Sequence, residues 1–337
     1  MAQNIAKIDS LFASYSNNNP GASVAIIKNG KTVFEKAYGL ADLENNIKVK
    51  PETNFRLASV SKQFTAVAVL QLIEKGKLSL NTKLSDIFPE LPTYAKSISV
   101  QQMLNHTSGI LDYDDVIDEG NTFEQISDAG VLKLCATFDK TYFPAGTKYK
   151  YSNTAYVLLG LVIEKFSGLS YPNYLEKFIF KPLKMNSSIA YLKDVNSIKN
   201  RSFGYTKQNN NWIRKDQSST SATLGDGGIY SNTIDLAKWD ANLYTSKILP
   251  QQVWQQAFSY QKLNDGIEID YGFGFHLKKT TNSKQVVYHT GSTTSFRNIM
   301  YRIPEEKLTI IILTNRSRPE ETNMVQFAEK ILDAYLK

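Results

Sequence analysis

Ser59 and Lys62 stand three residues apart in the apolar stretch Phe55-Arg-Leu-Ala-Ser-Val-Ser-Lys-Gln-Phe-Thr-Ala-Val-Ala-Val-Leu-Gln-Leu-Ile73. On a helix that spacing projects both side chains from one face. A serine hydroxyl is a weak nucleophile until a base takes its proton. A lysine can be that base if burial and the positive end of a helix lower its pKa. The same helix start offers N–H groups to a developing oxyanion. Ser61 does not repeat the arrangement, because Phe64 stands three residues beyond it. Alone, Ser-x-x-Lys is a weak signal, with about one match expected by chance in a chain this long. The plain structural alternative is an N-capping serine followed by a solvated lysine.

Two other clusters carry groups suited to the same chemistry. Tyr151-Ser152-Asn153 stands where a long helical pattern begins. There Tyr151 is a candidate proton relay and Asn153 a candidate holder of a substrate carbonyl; the alternative is a packing tyrosine and an N-cap. Tyr288-His-Thr-Gly-Ser292 closes a strand-like run. Gly291 permits close approach of another backbone, the Ser292 N–H is a candidate oxyanion donor, and His289 a candidate partner for a carboxylate. The alternative for this third cluster is a strand end with a glycine turn.

Around these residues the chain reads as an ordinary globular protein. Its 337 residues suffice for a large core and two subdomains, and 42% hydrophobic with 21% charged residues fits neither a disordered nor a fibrous class. The net charge of +7 comes without a Lys/Arg block, so no nucleic-acid partner is expected. Cys135 is the single cysteine, which excludes an internal disulfide; it is expected to be buried. His106, His276 and His289 show no metal-ligand spacing, so neither metal nor cofactor is expected. No apolar run approaches membrane-spanning length. The start, Met-Ala-Gln-Asn, is read as an initiator placed on a mature N-terminus, which implies an exported protein with its signal removed; a native cytosolic start is the alternative.

The elements that must position the three clusters follow from periodicity. Ile5, Ile8, Leu11, Phe12 and Tyr15 predict a first amphipathic helix, and Asn29-Gly30 between two apolar runs predicts a hairpin. The stretch from Phe55 to Ile73 predicts a buried helix stopped at Gly76. Helical segments dominate from Leu78 to about Thr223, the clearest over Asn153–Phe166. A helix is expected over Ile234–Tyr244, then strands over Gly272–Lys278, Gln285–His289, Phe296–Arg302 and Leu308–Thr314, and a last helix from Met324. This order predicts an α+β fold: one antiparallel sheet with both terminal helices on a face. Residues 1–77 and 225–337 would form the sheet domain and 78–224 an inserted, mostly helical subdomain, with the site between them.

Ser59-x-x-Lys62, Tyr151-Ser152-Asn153 and His289-Thr290-Gly291, in this order, resemble the motifs of the penicillin-recognising serine hydrolases. The branch most resembled is the class C β-lactamase-like one, with its D,D-peptidases, D-aminopeptidases and esterases. Leu104-Asn-His-Thr-Ser-Gly109, Gly227-Gly-Ile-Tyr-Ser231 and Tyr271-Gly-Phe-Gly-Phe275 support the likeness, which covers nearly the whole chain. It implies a β-lactamase/transpeptidase-like fold and an acyl-enzyme. Ser59 would be the nucleophile, Lys62 its base partner and Tyr151 the relay to the leaving group. Asn153, His289, Thr290, Gly291 and Ser292 would bind substrate, with the Ser59 and Ser292 N–H groups as oxyanion hole.

The expected substrate is an ester, an amide or a D-amino-acid peptide. A penicillin-binding protein with little turnover, a weak β-lactamase and a non-catalytic scaffold are the alternatives. Two positions depart from the pattern. His289 stands where efficient β-lactamases of this branch carry lysine, which favours the peptidases and esterases. Ser295 stands where many relatives carry glycine. Specificity is expected in the loops Asp112–Thr122, Ala190–Thr220 and Leu263–Ile269, with Tyr113, Tyr191, Trp212 and Phe258 as candidate pocket aromatics.

Overall fold

A computed structural model of the chain describes residues 2–117, 125–317 and 323–336. The end of the loop expected over Asp112–Thr122 therefore lies outside the described residues. Helix α1 (Ala2–Leu11) leads into strands β1 (Ala22–Lys28) and β2 (Lys31–Tyr38). Asn29 and Gly30 join them with φ of 53° and 72°, the two positive values a two-residue hairpin turn demands. Strands β3 (His276–Lys279), β4 (Gln285–Thr293), β5 (Phe296–Ile303) and β6 (Leu308–Thr314) complete a six-stranded sheet ordered β3-β4-β5-β6-β1-β2. Every neighbouring pair is antiparallel, so the two ends of the chain meet at β6 and β1.

Both faces of the sheet are covered. Ile26, Ile299, Tyr301, Ile310 and Ile312 face a cluster built from Ile8 and Phe12 of α1 and Ala328 and Ile331 of the C-terminal helix (Met324–Leu336). The opposite residues, Ile27, Met300, Ile311 and Leu313, join the larger core that contains helix α2 (Lys62–Glu74). Because β6 is buried on both sides, it reads as a continuous apolar run rather than an alternating one.

Helix α2 is buried from Lys62 to Leu72. It starts later than the apolar run suggested: Phe55–Arg56 is a short strand paired to Ile229–Ser231, and Ala58–Ser61 is a 3₁₀ turn. The turn is entered through Ala58 at φ 50°, an unfavourable conformation for a residue with a Cβ. Such strain persists only where surroundings enforce it, and here it presents Ser59. At the other end Gly76 has φ 66°, and the Lys77 and Gly76 N–H groups bond the Leu72 and Ile73 carbonyls, a Schellman stop.

Inside the core, Arg302 of β5 donates to Asp240 at 3.1 Å and to Gln63 Oε1 at 2.9 Å, and Trp239 Nε1 reaches the same Gln63 oxygen. Burial alone would make this ion pair costly; its shared hydrogen bonds offset that and tie α2 to the sheet.

Helix α3 (Asn153–Ser167) packs against α2. Its cap is Ser152, whose hydroxyl accepts from the Ala155 N–H, and not Asn153. Gly168, in the left-handed region at φ 71°, closes it as its sequence suggested. The strand expected from Gly272 begins only at His276, because Gly274 turns the chain at φ 83°. A Cβ on Gly274 would come within 2.7 Å of Ala66 Cβ and 2.9 Å of the Lys62 carbonyl, so this turn is pressed onto the first turn of α2.

Candidate active site

Three parts of the chain converge on Ser59. The 3₁₀ turn carries it, the N-terminus of α3 brings Tyr151 and Asn153, and β4 brings His289 to Ser292. Strand β4 reaches the turn so closely that a Cβ on Gly291 would fall 2.0 Å from the Leu57 carbonyl oxygen; only glycine fits. Strand β3 pairs with β4 only as far as Tyr288, so residues 289–293 run past it beside the nucleophile. Ser61 has a purely structural partner, the Ile229 N–H at 3.2 Å.

Lys62 is wholly buried, and its Nζ makes three hydrogen bonds: to Asn153 Oδ1 at 2.8 Å, to the Asp226 carbonyl at 2.8 Å and to Ser59 Oγ at 3.2 Å. An ammonium can donate all three. A neutral amine can keep the two shorter ones as donor and turn its lone pair on the Ser59 hydroxyl. Burial lowers the Lys62 pKa to about 8, against the opposing pull of Asp226, Asp112 and Asp114. The Tyr151 and Tyr156 rings flank the nitrogen at 4.9 and 5.5 Å from their centroids.

Tyr151 Oη is buried without a well-formed hydrogen bond. Burial raises its pKa above the usual range, with Ser59 beside it acting in the opposite direction. The phenol therefore carries its proton at neutral pH. Asn153 bridges the site: its side-chain oxygen accepts from Lys62, its Nδ2 donates to Asp114 at 2.8 Å, and its N–H donates to Asp112 at 2.7 Å. One Nδ2 hydrogen remains for a substrate.

All three histidines surround Tyr151, their rings 4.2 Å (His106), 6.2 Å (His276) and 6.1 Å (His289) from its own. Among the described residues no group is arranged to hold a metal ion. His289, the candidate partner for a carboxylate, is held at both ring nitrogens by other groups. It is 1% exposed, its Nδ1–H donates to the Thr290 carbonyl at 2.6 Å, and its Nε2 accepts from Tyr271 Oη at 3.0 Å. Burial and the neighbouring His276 and Lys62 hold its pKa well below the ordinary value, so it borders the site as a neutral ring. Ser295 is anchored by donating to the Lys215 carbonyl at 2.7 Å.

Two cavities meet at Ser59, Asn153 and Ser292. One, of about 390 Å³, is walled by Tyr149, Tyr151, His276, His289 and Thr290. The other, of about 80 Å³, is walled by Arg56, Tyr113, Asp114, Thr223 and Asp226. Of the aromatic candidates only Tyr113 borders the site; Phe258 lines a separate cavity with Trp254, and Trp212 donates to Asn19. The sequence reading missed Asp114 and Asp226. Their only signal was position, one inside a loop expected to set specificity and the other immediately before Gly227-Gly228.

Comparison with known proteins gives a consistent picture. The sequence model of the family described as Beta-lactamase matches residues 8–333. Penicillin-binding protein 4* of Bacillus subtilis (strain 168) is 29% identical over 349 residues, covering 98% of this chain and 77% of that protein. Protein flp of Staphylococcus aureus (strain MRSA252) is 28% identical over 304 residues, which span 88% of this chain and 59% of flp. Among solved structures, the octameric penicillin-binding protein homologue from Pyrococcus abyssi superposes with a TM-score of 0.84 at 26% identity, over 99% of this chain and 77% of that one. The D-amino acid amidase from Ochrobactrum anthropi SV3, complexed with D-phenylalanine, gives 0.82 at 22% identity over 99% of both chains, a likeness of fold.

Proposed function

Since the chain belongs to the Beta-lactamase family, it is a serine hydrolase acting on amide or ester bonds, and we propose that it does so through an acyl-enzyme on Ser59. The observation that carries this reading is the position of Lys62 Nζ, 3.2 Å from Ser59 Oγ and held by two shorter bonds to Asn153 and Asp226. With a pKa of about 8, roughly a tenth of Lys62 is neutral at pH 7, enough to serve as a base. In the acylation step Ser59 Oγ bonds to the substrate carbonyl carbon as its proton passes to Lys62. The Ser59 and Ser292 N–H groups would receive the oxyanion. Collapse breaks the bond to the leaving group, which takes a proton from Tyr151. Water then reverses the sequence and frees the acid.

The division into a sheet domain (1–77 and 225–337) and an insertion (78–224) belongs to the same proposal, with catalytic groups contributed by both parts. Asn153 would hold the substrate amide, and Thr290, Gly291 and Ser292 the backbone of the bound acyl group. His289, neutral and engaged at both ring nitrogens, supplies no charge for a carboxylate, which supports a peptidase, amidase or esterase over an efficient β-lactamase. The amidase neighbour makes D-amino-acid amides and peptides the first substrates to try. A second reading, slow turnover of a stable penicillin adduct, is favoured by the relatives named penicillin-binding proteins. A bacterial, exported location is proposed with it.

A fluorescent penicillin followed by a chase, beside a panel of p-nitrophenyl esters, D-Ala-D-Ala peptides and nitrocefin, tests the proposal. Rapid turnover of any panel member with loss of the adduct supports a hydrolase, and a persistent adduct without turnover supports the binder. Absence of any Ser59-dependent reaction would retire both.

Replacing Tyr151 with phenylalanine removes one oxygen that makes no well-formed hydrogen bond. The melting temperature should therefore stay the same or rise slightly. Turnover should fall about 10²- to 10³-fold, the usual contribution of a positioned proton donor. Activity within about threefold of the parent, less than 1 kcal/mol of barrier, would leave Tyr151 a packing residue.

A further inference from the structure

Tyr151 is the proposed catalytic group whose aim is least explained. Its Oη makes no well-formed hydrogen bond, so nothing at the oxygen fixes where the proton is delivered. Its position must come from its backbone and its ring, and one residue grips both. His106, in the stretch Leu104-Asn-His-Thr-Ser-Gly109, accepts from the Lys150 N–H through its carbonyl at 3.0 Å and from the Ser152 N–H through its Nδ1 at 3.1 Å. The two bonds bracket Tyr151 in the chain. The His106 ring lies 4.2 Å from the Tyr151 ring and is backed by the rings of Tyr271 at 4.5 Å and Tyr156 at 5.0 Å. Tyr156 Oη donates to the Leu104 carbonyl at 2.7 Å, so the first turns of α3 are moored to the same stretch.

Holding His106 in this way is costly. It is wholly buried with φ of 61°, in the left-handed region that a residue with a Cβ enters only under constraint. Because Nδ1 accepts, Nε2 carries the ring hydrogen, and that N–H is buried with no partner. Burial, with Lys62, His276 and His289 nearby, holds the His106 pKa well below the ordinary value, so the ring stays neutral and Nδ1 stays an acceptor. Backbone strain and an unpaired donor, kept together at one residue against Tyr151, point to a role beyond packing.

We infer that His106 is a positioning residue for Tyr151: by accepting from the Ser152 N–H it holds the phenol where it delivers its proton to the leaving group. His106 forms and breaks no covalent bond and exchanges no proton. The inference rests on the relay role proposed for Tyr151.

Two covalent probes of Ser59 separate positioning from packing. Opening a fluorescent penicillin expels a nitrogen that must take a proton, whereas a fluorophosphonate loses fluoride, which needs none. The ratio of their labelling rates, penicillin over fluorophosphonate, reads proton delivery, and partial loss of folded protein cancels from it. Leucine and asparagine are alike in shape, but only asparagine offers an acceptor where Nδ1 stands. His106→Leu should lower the ratio about tenfold or more, and His106→Asn should keep it within about threefold of the parent. In a Tyr151→Phe background His106→Leu should change the ratio by less than about twofold, because no proton is left to aim. Should the leucine variant fail to fold, His106→Gly takes its place, since glycine accepts this φ and offers neither acceptor nor ring. If the penicillin does not label the parent, kcat/KM for D-alanine p-nitroanilide over that for D-alanine p-nitrophenyl ester gives the equivalent ratio. An unchanged ratio in His106→Leu, equal losses with leucine and asparagine, or an equal loss in the Tyr151→Phe background would overturn the inference. A parent that reacts with the fluorophosphonate but opens neither amide would do the same. A Tyr151→Phe ratio equal to that of the parent would instead retire the relay itself, and this inference with it.

Discussion

Alanine at position 59 is expected to abolish covalent labelling by a fluorophosphonate and to reduce hydrolysis by about 10⁵- to 10⁶-fold, the scale on which serine hydrolases lose activity when the nucleophile is removed. The argument is geometric. Ser59 is the only serine within reach of Lys62 Nζ among the described residues, and it sits where both cavities meet. Ser61, two residues on, is turned away and serves the Ile229 N–H. Ser59 is only half-buried, and without its hydroxyl Lys62 Nζ keeps its two shorter bonds, so the variant should melt close to the parent. Intact-protein mass spectrometry is the decisive measurement. A probe-sized mass gain in Ser59→Ala would put the nucleophile elsewhere.

Replacing Lys62 with methionine should slow acylation by about 10³-fold or more, because the nucleophile loses its base while the volume stays filled. The pH profile separates a base from a mere support. Lys62 must be neutral to accept a proton, and burial has brought its pKa down to about 8. The acylation rate with an uncharged ester should therefore rise with pH through about 8 and then level off. In Lys62→Met the residual rate should show no inflection there. Folding must be checked by melting, since the substitution leaves Asn153 Oδ1 and the Asp226 carbonyl without their donor. A folded variant that acylates at near-normal rate, or a parent profile that is flat between pH 6 and 9, would remove lysine from the mechanism.

Much of this site was legible because its parts are short and locally coded. Ser59 and Lys62 lie within one turn of chain, and Tyr151 and Asn153 bracket a recognisable helix start. The hairpin at Asn29-Gly30, the stops at Gly76 and Gly168 and the long helix from Asn153 depend on glycine conformation and local hydrogen bonds, which residue identity nearly dictates. Where local and tertiary demands compete, the reading slipped. Phe55 and Arg56 look like a continuation of an apolar helix but pair with Ser231 and Tyr230. Gly272 to Phe275 look like a strand but turn against α2, because the sheet ends where the helix needs contact.

The sequence by itself determined the chemistry available to this protein: a serine and a lysine at helical spacing, a tyrosine and an asparagine at a helix start, a glycine-bearing strand end, and the order in which they occur. Only the tertiary structure decided the electrical state of those groups. Burial makes Lys62 a feasible base, keeps Tyr151 protonated and holds His289 as a neutral ring bonded at both nitrogens. It also brought Asp114 and Asp226, 112 positions apart in the chain, to one wall beside Ser59. The reason is physical: residue identity sets which proton a side chain can carry, whereas desolvation and neighbouring charge set whether it carries it, and both come from segments that meet only when the chain folds.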